Sequence, residues 1–201
     1  MFLKSPPQLI LASTSRYRKE LLARLGLPFA CMAPGVDETP AAGEEPLALI
    51  SRLAKAKAAA VAAREPKACV VGSDQVAVLD AGGAATVLGK PGTEARCQSQ
   101  LRSCSGRSVE FLTAVAVMHQ ETNSLSEFVD RTRVRFRVLD EAAIERYVAQ
   151  ERPLDCAGGF KSEGLGITLC ESIESADPTG LIGLPLIRLS AALRAAGFAL
   201  P

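Results

Sequence analysis

The chain has 201 residues, 48% of them hydrophobic, so it can bury a substantial core without disulfides or a structural metal. Its 23 basic and 22 acidic residues leave a net charge of +1, which excludes a whole-molecule field for drawing in nucleic acid or an anionic membrane. A single histidine, His119, excludes multi-histidine metal centres and makes a Ser/His/Asp triad a poor expectation; hydrolysis would have to rest on carboxylates, lysines and a metal held through oxygen.

In chain order, Met1 and its neighbours lead into a short apolar run over 9–12, too brief for a secretory signal or a membrane span, so a soluble, cytoplasmic protein with no membrane partner is expected. Residues 8–12 read as a buried strand, Ser13-Thr14-Ser15 as a polar loop, and 16–25 as a helix with Leu21, Leu22 and Leu25 on one face and Gly26 as its stop. A second strand is predicted over 29–33, then a Gly, Asp, Glu and Pro-rich loop over 34–46. An Ala-rich helix follows over 47–64, closed by Pro66. Residues 68–71 form another short buried strand ending in Gly72-Ser73-Asp74-Gln75. The chain continues through Val76 and Leu79 to a Gly82-Gly83 turn, with Val87 and Leu88 returning as a hairpin toward Gly89-Lys90-Pro91.

A helix capped by Thr93 is expected over 93–103, a strand over 111–118, a turn around Asn123, and a strand over 132–138. In that last strand Val134, Phe136 and Val138 take one face while Arg133, Arg135 and Arg137 take the other; without interleaved aromatics the arginine face reads as solvated rather than as a nucleic-acid surface. A helix over 140–150, with Leu139 as a staple, precedes a glycine-rich stretch over 158–166, a strand over 167–170, and a final helix from Pro185 that ends at Gly197. Six cysteines without a CxxC pair are expected to be buried, reduced thiols. The alternation of strands and helices predicts one α/β domain over 1–201 with a mixed sheet.

The first loop breaks a local rule. Arg16, Arg18 and Lys19 crowd the first turn of a helix, where the macrodipole disfavours each exposed cation by roughly 0.3–1 kcal/mol. A polyphosphate would offset that, cradled by free amides, the hydroxyls of Ser13 and Ser15, and a guanidinium; solvated charge partnered by Glu20 or by the acidic 37–38 loop is the plainer account. Asp37 and Glu38 follow a strand, and Asp74 ends one, positions where α/β proteins gather ligand-binding groups. Oxygen donors there suit a hard divalent cation that also touches phosphate, and a second carboxylate can take a proton from water. Exposed acidic turns and a hairpin cap are the corresponding structural accounts. Lys57, on the Ala-rich helix, could approach a phosphate or snorkel to solvent, with Lys55 as its competitor; Lys90 lies between Gly89 and Pro91.

Together the strings LILASTSRYRKELL, APGVDETP, RLAKAKA, VVGSDQVAVLD, GKP, ERPLDCAGGFKSEGLGITL and GLPLIRL resemble, in order and spacing over essentially the whole chain, the Maf-like nucleotide pyrophosphatases. The FKSEG block resembles the branch acting on 7-methyl-GTP. The resemblance implies a twisted mixed sheet flanked by helices, two lobes with a central cleft, and homodimerisation. It also implies hydrolysis of a nucleoside triphosphate between the α- and β-phosphates with a divalent cation such as magnesium, manganese or cobalt. Carried over residue by residue, it implies phosphate binding by Ser13, Ser15 and Arg18, a cleft lined by Glu38 and Lys57, metal at Glu38 and Asp74, Asp74 as proton acceptor, and Lys90 as added positive charge. Two positions depart from the pattern: Arg16 stands where proline is common, and Tyr17 where arginine or tryptophan is frequent.

Members resembling dTTP/UTP pyrophosphatases typically carry threonine at the position of Gln75 and glutamine at that of Glu163, whereas this chain carries neither. Methylation at N7 leaves guanine positively charged, so a carboxylate near the base gains Coulomb attraction on the order of 1–4 kcal/mol. A stacked ring adds a cation–π contribution of about 0.5–2 kcal/mol. Glu163 and Tyr17 could supply these groups, and Gln75 a donor and an acceptor for a base edge. Rival readings are action on dTTP, UTP or modified pyrimidine nucleotides, and a regulatory nucleotide-binding protein affecting cell division.

Overall fold

In a computed structural model, which describes residues 7–80 and 85–201, the protein is an α/β fold with seven strands in one mixed sheet and five α-helices. The strands are β1 (Leu9–Leu11), β2 (Phe29–Cys31), β3 (Cys69–Asp80), β4 (Ala85–Leu88), β5 (Ser108–His119), β6 (Ser124–Phe136) and β7 (Cys170–Ser175). The helices are α1 (Arg16–Ala23), α2 (Pro46–Ala62), α3 (Glu94–Cys104), α4 (Glu141–Glu151) and α5 (Leu186–Ala195). The sheet order is β2-β1-β3-β5-β6-β7, with β4 paired to β3. β1 runs parallel to both β2 and β3, whereas β4 is antiparallel to β3 and β7 to β6. The first six residues and the expected Gly82-Gly83 turn lie outside the described residues.

The chain divides into two compact units. The first holds the chain up to Asp74, Thr113–Asp130 and Gly183–Pro201; the second holds Gln75–Leu112 and Arg131–Ile182. In the first, Leu9, Ile10 and Leu11 of β1 are buried together with Leu21 and Leu22 of α1, Ile50 and Leu53 of α2, and Leu189 and Leu193 of α5. The 3.6-residue period accounts for the helix positions, while β1 is a continuous apolar run because both of its faces are buried. In the second, one hydrophobic cluster joins Ala77, Leu101, Phe111, Phe136, Ile144 and Phe160, with the Phe160 ring packed against those of Phe111 and Phe136. Among the described residues no helix is long and apolar enough to cross a membrane.

Helix starts follow the sequence closely because short polar caps carry them: the side chains of Ser15, Thr93 and Asp140 accept main-chain N–H groups of Arg18, Arg96 and Ala143. Three expectations differ. The strand expected over 132–138 begins at Ser124 and stops at Phe136, and Val138 is 77% exposed. The main chain leaves the ladder because Arg137 N donates to Leu169 O and Leu139 N to Ser105 Oγ, turning Leu139 rather than Val138 inward. The strand expected over 167–170 is a 3-10 turn, Leu165–Leu169, fixed by Thr168 Oγ1 donating to Leu165 O at 2.8 Å; the true strand starts at Cys170. A short apolar run does not distinguish these states by periodicity. Of the six free cysteines only Cys69, Cys97 and Cys104 are buried, while Cys31 is exposed on the edge strand β2. Burial pushes the Cys69 and Cys97 thiols up to about 11 and Cys104 to about 12.

Gly72 sets the distance between β3 and α2. A Cβ there would lie 2.6 Å from Ala58 N and would also meet Ala54 O, both main-chain atoms that cannot move aside. Gly72→Ala is therefore expected to cost about 1–3 kcal/mol through overpacking, read as a lower denaturant midpoint with an unchanged m-value. A wild-type midpoint would show that the strand and helix can separate freely.

Candidate active site

The first unit contains Ser13, Ser15, Tyr17, Arg18, Glu38, Lys57 and Asp74; the second contains Gln75, Lys90 and Glu163. Within the first unit, Gly72 and Asp74 share the face of β3 turned to α2, because alternate strand residues project to the same side. Close approach at Gly72 brings α2 near enough for Lys57 to reach the strand. Lys57 Nζ lies 2.6 Å from Asp74 Oδ1 and 2.7 Å from Glu38 Oε1. Lys57 is only 5% exposed and Asp74 8%, whereas the Glu38 side chain is 55% exposed.

Lys57 therefore does not snorkel; its ammonium turns inward to a carboxylate pair, and Lys55 is the lysine that stays exposed, 3.6 Å from Glu127. The sequence could not decide between them, since both lie on the same Ala-rich helix and only the position of β3 selects one. Asp37 points elsewhere, its Oδ1 accepting from Thr39 N at 2.9 Å, which with the Thr39 side-chain contact holds its carboxyl below the usual range.

The loop before α1 is tied by its own serines. Ser13 Oγ accepts from Ser15 N at 3.1 Å, and Ser15 Oγ caps the helix by accepting from Arg18 N at 3.4 Å. Each hydroxyl, used as an acceptor, keeps a proton to donate. Arg18 Nε donates to Gly183 O at 3.0 Å, and the buried Ser73 hydroxyl donates to the same carbonyl at 3.0 Å. Loss of hydration lowers the Arg18 pKa, opposed by the negative charges of Asp74 and Glu38. Arg18 thus lies within the field of the acidic pair. Ser73 and Gly183 were not singled out from sequence, although a serine inside a buried strand run signals a polar group that must find a partner.

Arg16, which had no role in the sequence reading, sits over the Tyr17 ring, its Cζ 4.7 Å from the centroid, with Nη2 donating to the phenol oxygen at 2.6 Å. A fixed cation on that ring leaves less of it for a charged base. In the second unit Gln75 Nε2 donates to Gly180 O and Leu181 O at 3.1 and 3.0 Å, so its amide nitrogen faces main chain. Lys90 is exposed between β4 and α3, and Glu163 is exposed within the glycine-rich segment, with Ser162 Oγ 3.5 Å from its carboxylate.

Whether this donor set suits a divalent cation can be asked of the acidic pair. Glu38 and Asp74 offer only hard oxygen atoms and converge on one positive centre, the Lys57 ammonium. Among the described residues no group of three or more His, Cys, Asp or Glu is gathered, so a metal here would draw its other ligands from phosphate and water, the pattern magnesium favours. The residues fit such an ion.

A profile of the family described as Maf-like protein matches residues 8–196. Over 195 residues the chain is 56% identical to a Xanthomonas oryzae pv. oryzae protein named 7-methyl-GTP pyrophosphatase, covering 97% of this chain and 100% of that one. A protein of the same name from Albidiferax ferrireducens is 54% identical, covering 94% of each chain. Another from Pseudomonas aeruginosa is 51% identical, covering 97% of this chain and 100% of its own.

The ion pair carries a stability consequence. Lys57→Met is expected to lower the unfolding free energy by about 3 kcal/mol, since Asp74 is left buried beside an apolar group. Lys57→Met combined with Asp74→Leu is expected to recover most of that loss. Equal denaturant midpoints for wild type and the single variant would mean that the ammonium contributes nothing to folding.

Proposed function

Because the chain belongs to the Maf-like family, we propose that it is a cytoplasmic nucleoside triphosphate pyrophosphatase that hydrolyses 7-methyl-GTP between the α- and β-phosphates, releasing monophosphate and pyrophosphate. The observation that carries this reading is the Glu38–Lys57–Asp74 arrangement within the field of Arg18, in a chain about half identical to proteins named for that reaction. Phosphoryl transfer asks a protein mainly for positioning and charge neutralisation, and this arrangement offers both.

Ser13, Ser15 and the main-chain amides at the start of α1 hold the triphosphate, and Arg18 presents a guanidinium whose orientation is fixed by Gly183 O. Dehydration of that guanidinium strengthens its hydrogen bonds to phosphate oxygens. Asp74 takes the proton from the attacking water, and Lys57 holds the Asp74 carboxylate in one orientation while compensating its charge. Lys90 adds positive charge. Glu38 and Asp74 would hold a divalent cation, which supplies neutralisation of the charge on phosphoryl oxygens. Glu163 favours a positively charged base over a neutral one by Coulomb attraction. The Arg16 guanidinium on Tyr17 leaves less of that ring for a charged base.

The test is a panel of 7-methyl-GTP, GTP, dTTP and UTP with magnesium, manganese or cobalt, and product detection that separates pyrophosphate from orthophosphate. Pyrophosphate and a preference for 7-methyl-GTP are expected; orthophosphate as first product would mean γ-cleavage, and a pyrimidine preference would move the chain to the dTTP/UTP branch. Asp74→Asn is expected to lower kcat by about 10²–10⁴-fold with nucleotide affinity largely retained. Near-normal turnover in that variant removes Asp74 from proton transfer.

A further inference from the structure

Glu163 lies in the glycine-rich part of the second unit, and among the described residues its side chain has a long contact with Ser162 alone to hold it. Glycine-rich main chain has more conformations to lose than any other, so a charge carried on it needs an external restraint to act at a defined distance. Two side chains one turn apart on α4 supply that restraint. The Tyr147 hydroxyl donates to Gly159 O at 3.2 Å and accepts from Lys161 N at 3.0 Å. Glu151 takes Lys161 Nζ on Oε1 at 2.5 Å and Leu165 N on Oε2 at 2.7 Å. Glu163 stands midway between Lys161 and Leu165, the two residues Glu151 grips.

The fit is close. A Cβ at Gly164 would lie 2.7 Å from Glu151 Cδ, so the main chain passes where only glycine leaves room for the carboxylate. The Glu151 side chain is 12% exposed and that of Lys161 22%, so water competes weakly for this contact. The hydrogen bond from Lys161, then that from Leu165 N, holds the Glu151 carboxyl below its ordinary range.

We infer that Glu151, with Tyr147, is a positioning residue for base selection: it fixes the main chain at Lys161 and Leu165 and thereby the distance at which Glu163 meets the charged base. This rests on the reading of Glu163 given above, and touches neither the phosphate site nor the attacking water.

The experiment is a double-mutant cycle on kcat/KM for 7-methyl-GTP relative to GTP, using full-length wild type, Glu151→Gln, Glu163→Gln and the double variant. Glu151→Gln is expected to reduce the preference roughly tenfold through a higher KM for 7-methyl-GTP, the size expected when one screened charge contact is lost. The double variant is expected to match Glu163→Gln alone, since residues acting through one contact are not additive. A preference retained in Glu151→Gln, or losses that multiply in the double variant, overturns the inference while leaving the proposed activity standing. A wild type that releases pyrophosphate without preferring 7-methyl-GTP overturns both. Should Glu151→Gln fail to fold, Tyr147→Phe in the same cycle decides by the same criteria.

Discussion

The buried Lys57 ammonium is the constraint on which the rest of the first unit depends. A lysine at 5% exposure is costly unless its charge is answered, and Asp74 and Glu38 answer it at 2.6 and 2.7 Å. Neither carboxylate alone would do as well. Asp74 is fixed on β3 and buried, while Glu38 comes from a solvent-facing loop, so one partner is rigid and the other can yield. The ammonium between them lets two like-charged carboxylates stay close together in space.

That arrangement follows from a residue with no side chain. Only glycine at position 72 lets β3 lie against the main chain of α2 near Ala54 and Ala58, and Lys57 is on the same helical turn as those two. Lys55, two residues away, projects from the other side of the helix and stays exposed. The second link is Gly183, whose carbonyl is shared by Arg18 Nε and the Ser73 hydroxyl and so turns a long, flexible arginine into an oriented one. Side-chain entropy that a surface arginine would keep is spent here before binding.

How far the sequence discloses this depends on whether the deciding interaction is local. The helix starts at Ser15, Thr93 and Asp140 were legible because capping is settled within four residues. The parallel pairing of β1 with β3 and the exposure of Val138 were not, since each is decided by chain remote in sequence. The same division runs through the candidate site. Ser13, Ser15, Asp74 and Glu38 could be named from loops that follow or end strands, yet the choice of Lys57 over Lys55 needed β3, and the partner of Arg18, 165 residues away, needed three dimensions. Gly72 carried a usable signal, because glycine inside a buried strand marks a close approach of another main chain.

The three cations at the start of α1 show why a broken local rule is informative without being decisive. Each meets the helix dipole differently. Arg18 leaves the first turn for Gly183 O and the field of two carboxylates, and Arg16 folds over the Tyr17 ring, while Lys19 remains exposed. Of the three, Arg18 is the one whose guanidinium is tied to main chain remote in sequence, so the excess of charge in the loop resolves into one guanidinium oriented by Gly183 O. The departure from proline at position 16 then bears on Tyr17 rather than on phosphate. With a permanent cation already on the ring, a positively charged base would gain less from stacking there. The glycine-rich segment that carries Glu163 is itself restrained by side chains of α4, Tyr147 on Gly159 O and Lys161 N, and Glu151 on Lys161 Nζ and Leu165 N.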